Sequence, residues 1–202
     1  MTNDNFAHRA AEWDSPQKAG MTRKFVAALT EKLQVKKAWK ALEVGAGTGL
    51  VGLQLLPFVD TVVFEDTSAA MLDVLKSKLQ SEEKVELVEG EVFAYTAQDI
   101  DFVFSCMAFH HIPDIEAAVK HLSFITKPGA MVAVGDIRTE DGSFHRFEPI
   151  PHKGFDTEWL SGIIENAGFE VLETSTYNVL SRERTEGVTT DYEQFMLIAR
   201  KK

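Results

Sequence analysis

One cysteine, Cys106, stands among 202 residues, and that scarcity rules out both an intrachain disulfide and a cysteine-rich metal centre. Positive charge is also short: 21 Lys and Arg face 31 Asp and Glu, for a net charge of −10. A surface of that sign repels phosphate backbones, so no nucleic-acid partner is expected. The densest basic stretch, Lys32 to Lys40, sets its lysines among Leu33, Val35 and Trp39 and reads as a solvated helix end. No apolar run approaches the roughly 18 residues of a membrane span, so no membrane association is expected. The opening Met1-Thr2-Asn3-Asp4-Asn5 lacks a basic-then-apolar leader pattern, and a cytoplasmic protein is the expectation.

What is present is alternation. The length suits one domain, with residues 1–36 as a helical lid segment and 37–202 as the main body. Phe25, Val26, Leu29 and Leu33 recur at helical spacing, with Pro16 near the helix start. Short apolar runs then predict strands at Lys40–Val44, Thr61–Phe64, Val85–Val88, Asp101–Cys106 and Ala130–Asp136. Helices are predicted between and after them, at Leu50–Pro57, Ser68–Gln80, Asp114–Ile125 and Asp156–Ala167. Strand-helix alternation at this pace implies an α/β fold, a doubly wound and mostly parallel sheet. Phe169–Thr176 and Phe195–Ala199 read as a final pair of strands joined by a polar link, Ser181–Asp191. That link is too polar for a crossover helix, so the pair is expected to be antiparallel at one edge.

The stretch Ala41-Leu42-Glu43-Val44-Gly45-Ala46-Gly47-Thr48-Gly49-Leu50 ends the first strand with an acid and three alternate glycines. Ligands of open α/β sheets collect at such strand ends, and glycine lets the backbone approach them closely. The spacing is not the dinucleotide pattern Gly-x-Gly-x-x-Gly, because Leu50 holds its last position. No lysine occurs between Lys40 and Lys76, which excludes a nucleotide P-loop. Tyr95, Tyr177 and Tyr192 are followed four residues later by Asp99, Ser181 and Met196, so a Tyr-x-x-x-Lys reductase pair is missing. Glu65 and Asp66 end the next strand, about 20 residues on, where a carboxylate can accept from ribose hydroxyls. Asp66 could equally cap the following helix, as could Thr67 or Ser68.

Four stretches in order carry a resemblance: "ALEVGAGTGL", "VVFEDTSAAML", "LVEGEVFAYTAQDIDFVFSCMAFHHIPD" and "LSFITKPGAMVAVGDI". They resemble the class I S-adenosylmethionine-dependent methyltransferases, the small-molecule type related to quinone-biosynthesis methyltransferases, over about residues 38–137. The resemblance implies a Rossmann-like sheet with an antiparallel C-terminal edge strand, and S-adenosyl-L-methionine as cofactor. It places Glu43 and the loop of Gly45, Ala46, Gly47 and Gly49 at the methionine part of the cofactor. Asp66, with Thr67 beside it, would serve the ribose. Glu91, where the family usually has Asp, and the Val92 amide would serve the adenine. Ser105, Cys106 and Met107 would end the fourth strand beside the transferred methyl. Lys127-Pro128-Gly129-Ala130 matches a Lys-Pro-Gly-Gly turn with its last glycine replaced. A sulfonium cation needs no phosphate cradle, which agrees with a loop bearing an acid and no base, and Phe6, Trp13 and Phe109 are candidate aromatic partners for it.

The remaining segments face the acceptor. Trp13 is a candidate wall of the pocket, or an anchor for the N-terminal segment. His110 and His111 follow the fourth strand, and either could serve as general base, since histidine titrates near neutrality. The alternative is that one of them only packs at the helix entrance. Residues 137–156 interrupt the step from fifth strand to fifth helix and would bring His145, Arg146, His152 and Phe155 to the pocket. These histidines show no tight ligand spacing such as His-x-x-x-His, so no metal is expected. The resulting expectation is methyl transfer to an O, N or C nucleophile of a small molecule by a monomer or homodimer. The alternatives are a non-catalytic cofactor-binding regulator on the same fold, or a protein or RNA methyltransferase.

Overall fold

A computed structural model describes residues 7–81, 84–145, 150–185 and 187–202. Seven strands form one sheet: β1 (Lys40–Val44), β2 (Thr61–Asp66), β3 (Val85–Glu89), β4 (Ile100–Cys106), β5 (Thr126–Ile137), β6 (Phe169–Thr185) and β7 (Val188–Lys201). Their order is β3-β2-β1-β4-β5-β7-β6. β1 to β5 pair parallel, and β7 runs antiparallel to both β5 and β6. The reversed C-terminal strand expected from the sequence is therefore present, one place in from the edge that β6 forms. The order reverses at β1, so the ends of β1 and β4 open the crevice in which such sheets hold ligands.

Side chains alternate across this sheet and feed two cores. Leu42, Val44, Val63 and Val103 face α4 (Ile115–Ile125) and α5 (Thr157–Asn166). Ala41, Val62, Phe64, Phe102 and Phe104 face α1 (Pro16–Lys32), α2 (Gly52–Leu55) and α3 (Ala69–Lys78). Full burial of each large side chain is worth roughly 1.5–3 kcal/mol, so both layers hold the sheet. Helix starts follow their caps. Ser15 accepts from Lys18 N with Pro16 at the first turn, Ser68 from Met71 N, and Asp156 from Glu158 N and Trp159 N. Among the described residues no helix is long and apolar enough to cross a membrane.

Three expectations are corrected. The helix expected over Leu50–Pro57 is one α turn, Gly52–Leu55, followed by a 3-10 turn, Leu56–Phe58. Pro57 has no N–H to continue an α ladder. The N-terminal stretch is a 3-10 turn, Ala7–Glu12, a break, and α1, rather than one helix. The polar link Ser181–Asp191 belongs largely to β6 and β7 themselves, with Ser181 Oγ donating to Asp191 Oδ1 at 2.5 Å and Gly187 turning the hairpin. The tip of this ribbon is exposed, so no apolar alternation marks it as strand.

Gly135 on β5 shows how closely α1 is seated. A Cβ there would stand 2.4 Å from the Phe25 ring, which is fully buried with the Tyr177 ring edge-on at 5.6 Å. The ring has no free side to move to. Gly135→Ala is therefore expected to destabilise the protein by about 1–3 kcal/mol, read from urea unfolding at constant m-value.

Candidate active site

The ends of β1, β2 and β4 meet at a cavity of about 470 Å³, within the roughly 300–1,000 Å³ of small-molecule sites. β1 contributes Glu43 and the turn Gly45-Ala46-Gly47, and β2 contributes Glu65, Asp66 and Thr67. β4 ends in Cys106, and past it come Met107, Ala108, and the 3-10 turn carrying His110 and His111. Trp13 closes one side, and Phe144, His145, Leu180 and Arg182 close the other.

The glycine loop sits where side chains have no room. Gly45 holds φ 71°, and a Cβ on it would fall 2.3 Å from Cβ of Ala108. Gly52, which begins α2, donates its N–H to Glu43 Oε2 at 3.0 Å, and a Cβ there would fall 2.3 Å from that same oxygen. The sequence reading missed Gly52, although its place three residues beyond the Gly-x-Gly-x-Gly run was a signal. Asp66 ties the loop to α3: Oδ2 accepts from Gly47 N at 2.6 Å and Oδ1 from Ser68 N at 2.8 Å. Asp66 thus lines the cavity and braces the helix start, while Ser68 supplies the cap.

Strand alternation separates the acids. Glu43 and Asp66 lie on the α1–α3 side, and Glu65 lies on the α4–α5 side, where Tyr95 N donates to its Oε1 at 3.4 Å. Glu65 Oε2 is buried without a hydrogen-bond partner among the described residues. Burial pushes the Glu65 carboxyl up to about 8, against the pull of the Tyr95 amide, with Asp66 charge adding to the rise. Burial also pushes the Glu43 carboxyl well above its ordinary range, opposed by the Gly52 amide and reinforced by Asp66. Two buried acids and Asp66 around one cavity favour a cationic ligand, whose charge would offset their desolvation. Burial likewise raises the Cys106 thiol, so it is no thiolate nucleophile.

At the other end three imidazoles converge. His110 is 1% exposed. Its Nδ1 bonds Asp136 Oδ1 at 2.7 Å, and its backbone N–H donates to Asp136 Oδ2 at 3.2 Å. Its carbonyl accepts from His152 N at 3.3 Å. Because a carboxylate only accepts, Nδ1 is the donor to Asp136, and the neutral ring in that tautomer carries its lone pair on Nε2. Ring centroids of His110 lie 4.2 Å from His111 and 4.8 Å from His145. His145 is carried by a turn whose Phe144 packs edge-on against Tyr192 at 5.1 Å and donates its N–H to Glu140 Oε2 at 3.0 Å. Met107, just before this turn, holds φ 59° and accepts from Gln194 Nε2 through its sulfur at 2.9 Å. Such a non-glycine outlier is frequent at functional sites.

Many expected site residues therefore line one cavity: Trp13, Glu43, Gly45, Ala46, Gly47, Glu65, Asp66, Thr67, Val92, Cys106, Met107, His110, His111 and His145. Others do not. Ser105 spends its hydroxyl on the Val44 carbonyl at 2.9 Å, fastening β4 to β1. Glu91 opens a turn in which Ala94 N returns to its carbonyl at 2.7 Å, and its side chain is exposed. Gly49 shapes the loop from behind the wall. His152 Nε2 is engaged with the Ile112 carbonyl at 3.0 Å, its ring beside Phe155. Phe109 and Phe155 are core residues. Phe6 and Arg146 lie outside the described residues. Asp136 went unnoticed in the sequence because only the sheet register sets it behind His110.

The relatives and solved structures that this chain resembles support a class I S-adenosylmethionine-dependent methyltransferase domain, with S-adenosylmethionine as its cofactor. Residues 42–134 match the family model described as a methyltransferase domain. An uncharacterized methyltransferase of Oceanobacillus iheyensis is 30% identical over 141 residues, 67% of this chain and 64% of the relative. A demethylmenaquinone methyltransferase of Staphylococcus aureus is 36% identical over 103 residues, 48% of this chain and 43% of the relative. The chain thus matches less than two thirds of the length of each. A solved S-adenosylmethionine-dependent methyltransferase of Aquifex aeolicus superposes with a TM-score of 0.72 at 19% identity, covering 96% of this chain and 97% of that one.

The raised Glu65 carboxyl gives a stability signature. From about pH 4.5 to about 8 the folded protein holds a proton that the unfolded chain has released. Stability from this group is full below that window and is lost as pH rises through about 8, at up to roughly 1.4 kcal/mol per pH unit. Urea unfolding of the ligand-free protein should show stability falling from pH 5 to 8, with a shallower fall in Glu65→Gln. An unchanged slope in the variant would exclude the buried acid as its source.

Proposed function

We propose that this protein transfers the methyl group of S-adenosylmethionine to an O, N or C nucleophile on a small-molecule acceptor. The observation that carries this reading is one cavity with acids and a side-chain-free loop at one end and three imidazoles at the other. The residues fit the cofactor. Glu43, with its buried carboxyl, suits the cationic amino-acid end. Asp66 suits the ribose hydroxyls, and Val92 suits the adenine. Glu65, with its unpartnered buried oxygen, stands on the cavity wall where the exposed Glu91 does not reach. When bound, the cofactor supplies a methyl group on a positively charged sulfur.

The chain's own residues then position and shield. The acceptor's nucleophile would sit at the imidazole end, its new bond to carbon forming as the sulfur–carbon bond breaks and the electron pair returns to sulfur. Alignment and exclusion of water supply most of the acceleration in such a displacement. The N-terminal segment would act as the lid. Thr48 Oγ1 donates to Asp14 Oδ1 at 2.5 Å, and Lys78 pairs with the same carboxylate while donating to the Thr48 carbonyl at 2.7 Å. This latch holds Trp13 over the loop, 3.7 Å from where a Cβ on Gly47 would lie. The net charge of −10 supports a soluble acceptor over nucleic acid, with a monomer or homodimer working in the cytoplasm.

Incubation with methyl-labelled cofactor and a metabolite extract should move label into small molecules. Cofactor binding with no transfer would favour a regulatory role, and label in protein or RNA would redirect the acceptor class. By calorimetry, Asp66→Ala should weaken cofactor binding by about 1–3 kcal/mol, through lost ribose contacts and a loosened Gly47 amide. Undiminished affinity in a folded variant would refute the role of Asp66.

A further inference from the structure

Methyl transfer to a small molecule does not by itself require three imidazoles at one point. The donor nitrogens of His110, His111 and His145 lie within 4.8 Å of one another. A four-coordinate zinc ion, with bonds of about 2.0–2.1 Å, needs its nitrogens roughly 3.4 Å apart. His111 and His145 are half-buried, and side-chain rotation of both would be needed to close that difference. His110 needs none of this freedom, because Asp136 already fixes its ring. A carboxylate holding one ring nitrogen so that the other presents a lone pair is the usual outer support of a metal-binding histidine. The Nε2 atom so presented is buried and has no hydrogen-bond partner among the described residues. Leaving it so has a cost that a bound cation would remove.

We propose that His110, His111 and His145 form a site for one divalent transition-metal ion, with zinc as the best match to three neutral imidazoles. Asp136 is the positioning residue behind His110. Three protein ligands leave a fourth position open, the arrangement of catalytic rather than structural zinc. That position faces the cavity which the methyl-transfer reading assigns to the acceptor, and the role of the metal, though not its binding, rests on that reading. An acceptor hydroxyl ligating there would lose its proton to solvent. Its lone pair then forms the bond to the methyl carbon as the carbon–sulfur bond breaks and that pair passes to the cofactor sulfur. The site is assembled from opposite sides of a chain excursion of more than thirty residues (His111 to His145), which is why linear spacing concealed it.

The test uses tag-free protein stripped with a chelator and titrated with Zn²⁺ by calorimetry and with Co²⁺ by visible absorption. The expected result is one equivalent bound, with the intense visible bands of four-coordinate Co²⁺. Removing His110 risks misfolding, because Asp136 would be left buried without its partner. His111→Ala and His145→Ala are therefore the deciding variants, each expected to weaken Zn²⁺ at least about a hundredfold. Asp136→Asn should lose roughly 10–100-fold, as outer-partner substitutions do. His8→Ala, at an exposed position away from the cluster, should bind as the parent does. No stoichiometric metal in folded parent protein, or affinity unmoved by both deciding variants, overturns the proposal and leaves the His110–Asp136 pair as a proton acceptor. S-adenosylmethionine titrated in parallel separates the readings: cofactor binding without metal sinks this site alone, and failure of cofactor binding sinks the methyl-transfer reading.

Discussion

The hydrogen bond from Gly52 N–H to the Glu43 carboxylate is the constraint on which the site depends. It closes the loop after β1 back onto the strand that launched it. The approach is so close that no side chain fits at Gly52, and the turn packs equally tightly at Gly45 against Ala108. Bare backbone therefore lines the crevice at the point where the sheet reverses its order, and a ligand can approach the main chain closely there. The acid that makes the turn is buried by it and held toward its neutral form. A cationic ligand relieves that penalty, so the same interaction that shapes the loop selects the charge of what enters it.

Asp66 extends this logic to the next strand. One of its oxygens holds the Gly47 amide and the other the Ser68 amide, so loop, strand end and helix start move as one unit. Glu65, one residue earlier, points to the other face of the sheet by simple alternation, and there it meets Tyr95 rather than the loop. Adjacent carboxylates in the sequence thus serve different walls of one cavity.

The imidazole end is built differently. Its turn follows β4, its carboxylate comes from the end of β5, and its third histidine arrives on the segment that follows β5. That segment is not a slack insertion. Glu140, Phe144 and Tyr192 hold its outer part, while its return leg donates from His152 N to the His110 carbonyl. The β6–β7 ribbon adds Leu180 and Arg182 to the same wall. The glycine-loop and imidazole ends of the cavity therefore answer to different parts of the chain, one local to the β1–β2 region and one assembled from distant segments.

The sequence by itself determined the alternation of strands and helices, the glycine loop and the acids at the ends of β1 and β2. These depend on residues within a few positions of one another, where periodicity, caps and turn chemistry act. Lys40–Val44 is a strand with the expected bounds, and the Asp114 cap starts α4 where the apolar stripe begins. Tertiary structure decided which candidates share a space. It sent the Ser105 hydroxyl to Val44 and His152 to Ile112, left Glu91 exposed, and drew the polar Ser181–Asp191 stretch into a ribbon. It also set Asp136 behind His110 and brought His145 across to meet it. Those outcomes follow from sheet register and from packing between segments far apart in the chain, which local spacing does not encode.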